Sequence, residues 1–259
     1  MESFFYKKEQ VVDFAQVDDV ESIKELVLHD CTVTNFSRIV SAKALKSIAI
    51  VNCNITSEDL NCLKELEKLK EIVLGLMKIE NILCLADIIS LRELHFRRME
   101  GIDYGDLEYF PKLLRLYIKE AEVSSFDFMK KLKNLNALEL HKVSISNLNF
   151  LYDLPKLKKF TMQYCADDET ALECIANMKY LQSFQYPVPD MKRYQHCPKI
   201  RSIGIDSSRV EDFSVLKGKE TITSIMFYNL KTKKQYEQQL AEVKKYLKLH
   251  AHGYMGKLY

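Results

Sequence analysis

A short hydrophobic motif recurs along most of this chain. It consists of an apolar residue, two variable residues, a second apolar residue, one variable residue and a third apolar residue. Its ten copies begin at Ile23, Leu45, Leu69, Leu91, Leu113, Leu135, Leu157, Leu181, Ile200 and Ile222. Successive copies start 22, 24, 22, 22, 22, 22, 24, 19 and 22 residues apart. A period of this length indicates a repeat protein, in which each unit buries its apolar side against its neighbours.

The alternation within each copy predicts a β-strand. In Leu26-Val27-Leu28, for example, the apolar positions recur with a period of two, so that the outer residues share one face. A looser stretch with further apolar anchors then returns the chain to the next copy. Because one such coil cannot cover its own apolar face, we expect the coils to stack and their strands to form a parallel sheet.

The motif and its spacing resemble the leucine-rich-repeat (LRR) family over roughly residues 21–230, and the length is most similar to the bacterial internalins. The resemblance implies an α/β solenoid, a curved horseshoe of about ten repeats. Its concave face would carry the parallel sheet, and its convex side short helices, 3-10 turns or loops. Internalin-type repeats usually have asparagine at position nine. Here that position holds Cys31, Cys53, Met77, Met99, Ala121, Val143, Cys165, Pro189, Ser208 and Leu230.

The ends of a stacked core need protection from water. We therefore expect an N-terminal cap over 1–20, repeats over 21–230, and a helical cap and tail over 231–259. Apolar residues at helical spacing predict an amphipathic helix over about 233–250.

Variation in repeat length indicates where the returning segments differ. Thr56 and Asp59 have capping-box spacing and open the first 24-residue repeat, which predicts a helix of two to three turns. Residues 167–178 predict a second helix in the other 24-residue repeat. The 19-residue repeat contains Pro187, Pro189 and Pro198, so we expect extended or turn backbone there.

Composition and charge narrow the setting. The net charge is +2, and no apolar run has the length of a signal peptide or membrane span. We therefore expect the resemblance to internalins to extend to the repeats but not to an export signal or a wall anchor. The seven cysteines are odd in number, form no C-x-x-C pair and fall largely at core positions. We expect a cytoplasmic protein with reduced thiols that serve as small apolar groups.

Motifs for catalysis are missing from the sequence. It has no G-x-S-x-G, P-loop or H-E-x-x-H pattern, and every cysteine has a structural explanation. His250 and His252 have no carboxylate or cysteine beside them, so polar surface is the favoured interpretation. We expect no enzymatic activity, no cofactor and no metal.

The residues between the buried strand positions predict a binding surface. Side chains at repeat positions three, five, seven and eight point away from the core; we call this surface the strand face. In repeats four to seven it is rich in arginine and tyrosine, which often anchor protein interfaces. The predicted site comprises His95, Arg97, Arg98, Arg115, Tyr117, Lys119, Glu139, His141, Lys142 and Tyr164. The alternative interpretation is an ordinary solvated face.

Two binding hypotheses follow. The first is a scaffold that recognises another protein through an acidic patch, for example in an inhibitor or immunity-type role. The second is a binder of nucleic acid or an anionic surface. It would use the basic strand face and the segment from Lys217 to Tyr259, which has nine lysines and three glutamates.

Overall fold

The structure of the protein is a computed structural model that describes residues 3–7, 11–163, 178–188, 191–210 and 212–255. The chain divides into two compact units. The first comprises Met1–Leu135 and Lys142–Ser144, and the second comprises Asn136–His141 and Ile145–Tyr259.

The first unit is built on six parallel strands in the order β1, β3, β5, β6, β7 and β8. Its strands are β1 (Ser3–Lys7), β2 (Val11–Asp13), β3 (Glu25–His29), β4 (Thr32–Thr34), β5 (Ser47–Val51), β6 (Glu71–Gly75), β7 (Glu93–Arg97) and β8 (Arg115–Ala121). Strands β2 and β4 form a separate parallel pair. Neighbouring strands pair without slippage, so that equivalent repeat positions lie side by side.

The second unit also contains six parallel strands, which follow chain order. They are β9 (Ala137–Val143), β10 (Lys159–Gln163), β11 (Ser183–Val188), β12 (Ser202–Asp206), β13 (Ser224–Tyr228) and β14 (Ala251–Tyr254). The register shifts within β11, between Phe184 and Val188. Pro187 lies in this strand, which agrees with the extended backbone predicted for the short repeat.

The repeated apolar positions form the core of both units. All thirty residues of the ten motifs are at most 3% exposed. Burial of a leucine or isoleucine side chain contributes about 1.5–3 kcal/mol, so these rows dominate the stability of each unit. The inward register predicted from the sequence is confirmed, and so is the α/β architecture of stacked coils with parallel strands.

Most returning segments are 3-10 helices. They span Val20–Ser22, Phe36–Ser41, Asn61–Glu65, Leu83–Leu85, Tyr104–Tyr109, Asp127–Lys131, Asn149–Asp153, Met191–His196 and Ser214–Leu216. Each is short, as expected when i→i+3 hydrogen bonds must fit between buried anchors.

The helix predicted after Thr56 is shorter than expected. The capping box is present, since Thr56 Oγ1 accepts from the Asp59 amide and Asp59 accepts from the Thr56 amide. However, α1 spans only Ser57–Leu60 before the chain becomes a 3-10 helix. Leu60, Leu63 and Leu66 are buried at a spacing of three, which matches 3-10 rather than α-helical periodicity. The second predicted helix lies largely outside the described residues.

The C-terminal segment also differs from its prediction. The helix α2 spans Lys233–Val243 instead of continuing to residue 250, and β14 follows it. In the register of β13 and β14, His252 and Tyr254 occupy the fourth and sixth repeat positions. The apolar pattern missed this strand because a histidine replaces an aliphatic residue. Tyr236 of α2 covers the strand, with its hydroxyl 2.7 Å from His252 Nδ1.

A further strand precedes the first predicted repeat. Phe4 and Tyr6 of β1 pair with Leu26 and Leu28, so they occupy apolar repeat positions in the region predicted as a cap. Near it, Phe14 is buried with its ring centroid 5.7 Å from that of Phe36. Across the described part of the chain, no helix combines the length and apolar character needed to cross a membrane.

Gly204 sits where two neighbouring strands approach unusually closely. A Cβ atom at this position would lie 2.3 Å from the Tyr186 carbonyl oxygen and 2.7 Å from its amide nitrogen. The Gly204 carbonyl also accepts a hydrogen bond from the buried Tyr194 hydroxyl at 3.1 Å. The side chain is therefore excluded by backbone atoms, which cannot rotate away.

We expect Gly204→Ala to lower the free energy of unfolding by about 2–3 kcal/mol through overpacking. Gly253→Ala is the matched control, because its Cβ would meet only the flexible Met226 side chain at 3.6 Å. Its effect should stay within about 0.5 kcal/mol. Urea unfolding of both variants tests this, and an equal loss in the two would mean that the close approach is absent.

Candidate functional site

The two units divide the predicted binding residues. His95, Arg97, Arg98, Arg115, Tyr117, Lys119 and Lys142 lie in the first unit. Glu139 and His141 lie in the second unit, where Glu139 pairs with Lys159 and His141 is half-buried. Tyr164 lies outside the described residues. The densest set, on β7 and β8, belongs to one unit and is described below.

Exposed cations lie above half-buried carboxylates on this face. The Arg115 side chain is 56% exposed, and its guanidinium is 2.9 Å from Glu93, which is 15% exposed. Arg98 is 60% exposed and pairs with Glu120, which is 14% exposed. Lys142 approaches the same carboxylate at 3.9 Å. The outermost layer of the surface is therefore positive. The net charge of the cluster is smaller, because two carboxylates lie beneath the three cations.

These contacts change the protonation equilibria of the groups involved. The hydrogen bond and charge of Glu93 raise the pKa of the Arg115 guanidinium. Burial acts to raise the pKa of the Glu120 carboxyl, but the hydrogen bond from Arg98 and the charges of Arg98 and Lys142 outweigh it. The net pKa of Glu120 is lowered. The carboxylate therefore stays ionised and holds its cations in place.

Two aromatic rings form a flat element between the charges. His95 and Tyr117 are register partners on β7 and β8, and their rings stack at a centroid distance of 3.9 Å with an interplanar angle of 13°. Stacking restricts both side chains, so less rotamer entropy is lost when a ligand covers them.

A pair of like charges lies next to the rings. Arg97 and Lys119 are also register partners on β7 and β8. Among the described residues neither forms a salt bridge, because Glu120 is engaged by Arg98 and Lys142. Glu120 interacts electrostatically with Lys119 as well, though less than with Arg98 or Lys142. Directly opposed like charges destabilise a sheet, so a further negative group beside Arg97 and Lys119 would be favourable.

The last strand-face position has unusual backbone geometry. Position eight is in the left-handed region in repeats three to six, with φ of 54° at Leu76, 47° at Arg98, 55° at Glu120 and 52° at Lys142. The Arg98 amide still donates to the Lys119 carbonyl at 2.8 Å, as the next rung of the sheet. A left-handed conformation costs a non-glycine residue roughly 1–2 kcal/mol. Arg98, Glu120 and Lys142 thus adopt this conformation at some cost in stability.

One cluster in the described part of the chain could hold a metal ion. Glu71, Glu93 and His95 each offer one ligand atom, and these atoms lie within 4.8 Å of one another. The sequence-based expectation of no metal had considered His250 and His252 instead. Of those two, His252 directs Nδ1 to the Tyr236 hydroxyl.

Two of the described cysteines are poor nucleophiles because burial raises their pKa. None of the described cysteines, Cys31, Cys53, Cys62, Cys84 and Cys197, is in a disulfide. Burial, reinforced by the charge of Asp59, raises the pKa of Cys62 to about 11. Burial likewise raises the pKa of Cys197 to about 11, against the opposing charge of Lys219. Such thiols remain protonated at neutral pH. Cys165 and Cys174 lie outside the described residues.

Comparison with known proteins identifies the architecture. No protein-family model and no curated protein sequence matches the chain. Among solved structures, the inlF internalin of Listeria monocytogenes matches with a TM-score of 0.54 and 14% identity, over 98% of this chain and 87% of its own. Internalin C2 of the same organism matches with a TM-score of 0.57 and 16% identity, over 72% of this chain and 82% of its own. The chain has the leucine-rich-repeat fold.

A third matching LRR structure is a complex with RNA. The TLR13–ssRNA13 complex matches with a TM-score of 0.54 and 16% identity, over 85% of this chain and 38% of that chain. At 14–16% identity it is the structural similarity that establishes the shared fold, and the LRR resemblance inferred from the motif is thereby confirmed.

Sequence reasoning left three carboxylates out of the predicted site. Glu93 and Glu120 orient the arginines, and Glu71 lies beside Glu93 on the neighbouring strand. Their positions could have been found, because residues at the same repeat position become neighbours in an LRR sheet. The left-handed turn was also missed, since arginine, glutamate and lysine do not signal this conformation as Asn52 does.

The backbone geometry at Arg98 gives a direct test. We expect Arg98→Gly to be more stable than Arg98→Ala by about 1 kcal/mol, because both lose the Glu120 contact but only alanine retains the left-handed penalty. Urea unfolding of the two variants measures the difference. Equal stability, or a more stable alanine variant, would show that residue 98 has ordinary backbone geometry.

Proposed function

We propose that this protein is a non-enzymatic scaffold that binds another protein through the strand face of repeats four and five. The partner presents an acidic patch, and Arg97, Arg98, Arg115, Tyr117 and Lys119 form the centre of the contact. The other residues predicted from the sequence, Glu139, His141, Lys142 and Tyr164, lie in later repeats. The LRR fold supports this role because it displays an ordered row of side chains on a rigid sheet.

The observation that carries the proposal is the pair formed by Arg97 and Lys119. The sheet register holds these two cations side by side, and neither has a salt bridge among the described residues. A carboxylate from a partner would relieve their repulsion and form charge-assisted hydrogen bonds. The arrangement is therefore more favourable with an acidic ligand than without one.

The neighbouring residues supply the rest of a binding surface. Glu93 and Glu120 form ion pairs with Arg115 and Arg98 while leaving the arginine side chains more than half exposed. The stacked rings of His95 and Tyr117 add a flat apolar area. Arginine and tyrosine are enriched among the residues that dominate binding energy, especially where they are ordered before binding.

An inhibitor or immunity-type role in the cytoplasm is the specific version that we favour. Such a protein needs a rigid surface to block an acidic patch on a toxic partner, and it needs no catalytic group. The described cysteines form no disulfide, and the raised pKa values of Cys62 and Cys197 keep those two thiols protonated; both features suit a reducing compartment, in which disulfides are rare.

Binding of single-stranded nucleic acid is the second candidate. Exposed arginines beside a stacked ring pair can contact phosphates and bases, and TLR13 provides an LRR structure in complex with RNA. Two lysines of the lysine-rich C-terminus are engaged in local ion pairs. Lys233 pairs with Glu237 at 3.8 Å, and Lys245 pairs with Glu242 at 2.5 Å. This reduces the positive charge that α2 and the turn after it offer to phosphates.

The test is charge reversal at the unpaired cations. Wild type, Arg97→Glu/Lys119→Glu and a control, Lys64→Glu/Lys68→Glu, are immobilised and used to capture proteins from native lysate. Both control lysines are exposed on a returning segment. We expect an acidic protein to bind wild type and control but not the strand-face variant. With that purified protein, the strand-face variant should show slower association and weaker binding at low salt.

The same experiment separates the alternatives. Unfolding by urea must be similar in the three proteins, since substitutions at the surface typically change stability by only about 0.5 kcal/mol. Lys119 is half-buried, so this control matters most for the strand-face variant. If the strand-face variant binds the same protein with wild-type affinity at low salt, the proposed surface is wrong. Nuclease-sensitive capture with a steep salt dependence would instead support the nucleic-acid function.

A further inference from the structure

Two carboxylates are forced together on adjacent strands of the first unit. Glu71 on β6 and Glu93 on β7 are register partners at repeat position three. Both side chains are partly shielded from water, with exposures of 38% and 15%. Directly opposed like charges are unfavourable in a sheet. The guanidinium of Arg115 reaches Glu93 Oε2, but one cation faces two carboxylates.

An imidazole completes this cluster. His95 Nε2 is 2.8 Å from Glu93 Oε1 and 3.7 Å from Glu71 Oε1, so a single ring nitrogen is directed at both carboxylates. Zinc binds nitrogen and oxygen ligands at about 2.0–2.2 Å, which in a tetrahedral site places them about 3.4 Å apart. The two observed separations bracket that spacing. Small side-chain movements would therefore suffice to admit an ion.

The neighbouring residues already fix two of these groups. Arg115 engages Oε2 of Glu93 and leaves Oε1 directed toward His95. Tyr117 stacks on the imidazole and restricts its rotation. Protein metal sites commonly have such outer contacts, which orient the ligating atoms before the ion arrives.

We propose that Glu71, Glu93 and His95 form a binding site for a divalent transition-metal ion of the zinc class. Two carboxylate oxygens and one imidazole nitrogen suit Zn²⁺ and its neighbours, whereas an all-oxygen set would suit Ca²⁺ or Mg²⁺. Three protein ligands leave at least one coordination position open to solvent. The ion neutralises the opposed carboxylates, and its binding does not depend on the proposed protein partner.

The test uses full-length protein freed of metal with a chelator. Zn²⁺ is titrated by calorimetry, and Co²⁺ by visible absorption. The test variants are Glu71→Gln and His95→Gln, and Glu25→Gln is the matched control at repeat position three of β3. We expect each test variant to weaken Zn²⁺ binding at this site at least tenfold, while the control binds as wild type does. The Co²⁺ spectrum should lack a thiolate charge-transfer band.

A second readout does not rely on the variants. In the wild-type protein, paramagnetic Co²⁺ should broaden the ring resonances of Tyr117, which lies against His95, before those of tyrosines elsewhere. The proposal fails if wild type binds neither ion, if both test variants bind Zn²⁺ with wild-type affinity, or if Tyr117 is unaffected. A thiolate band that persists in His95→Gln would likewise overturn it by placing the ion at cysteines.

Discussion

Burial of the same three apolar residues in every repeat is the constraint on which this structure depends. The first, fourth and sixth positions of each motif are almost completely removed from water. Once they face inward, the third, fifth and seventh positions must face outward, since successive side chains of a strand alternate. Parallel pairing without slippage then turns each repeat position into a column of neighbours, as Glu71 and Glu93 or Arg97 and Lys119 illustrate.

This constraint explains why much of the fold was predictable. The spacing of Leu94 and Phe96 is enough to predict that they are buried, and the same spacing occurs in ten repeats. The pattern became uninformative where polar residues replaced apolar ones, as with His252 in β14. It also misjudged the segment after Thr56, where buried leucines at intervals of three favour a 3-10 helix over an α-helix.

The candidate site was predictable in outline because the outward positions follow from the inward ones. Its internal pairing was not, because salt-bridge choice depends on side-chain geometry. Glu120 forms its ion pairs with Arg98 and Lys142, which hold the same repeat position on either side of it, and its charge interaction with Lys119 is weaker. Arg97 and Lys119 have no salt bridge among the described residues, and this is the observation on which the proposed acidic partner rests.

The central claim is that the inward side chains of each strand determine the stability of the fold. The outward side chains contribute little to stability and are therefore available for binding. The most direct measurement compares Leu94→Ala and Arg97→Ala, two truncations in β7, by urea unfolding. Leu94 is fully buried, so its truncation should cost about 2–5 kcal/mol through the cavity it leaves. Arg97→Ala should change the free energy of unfolding by no more than about 0.5 kcal/mol. Equal destabilisation by the two substitutions would contradict the account.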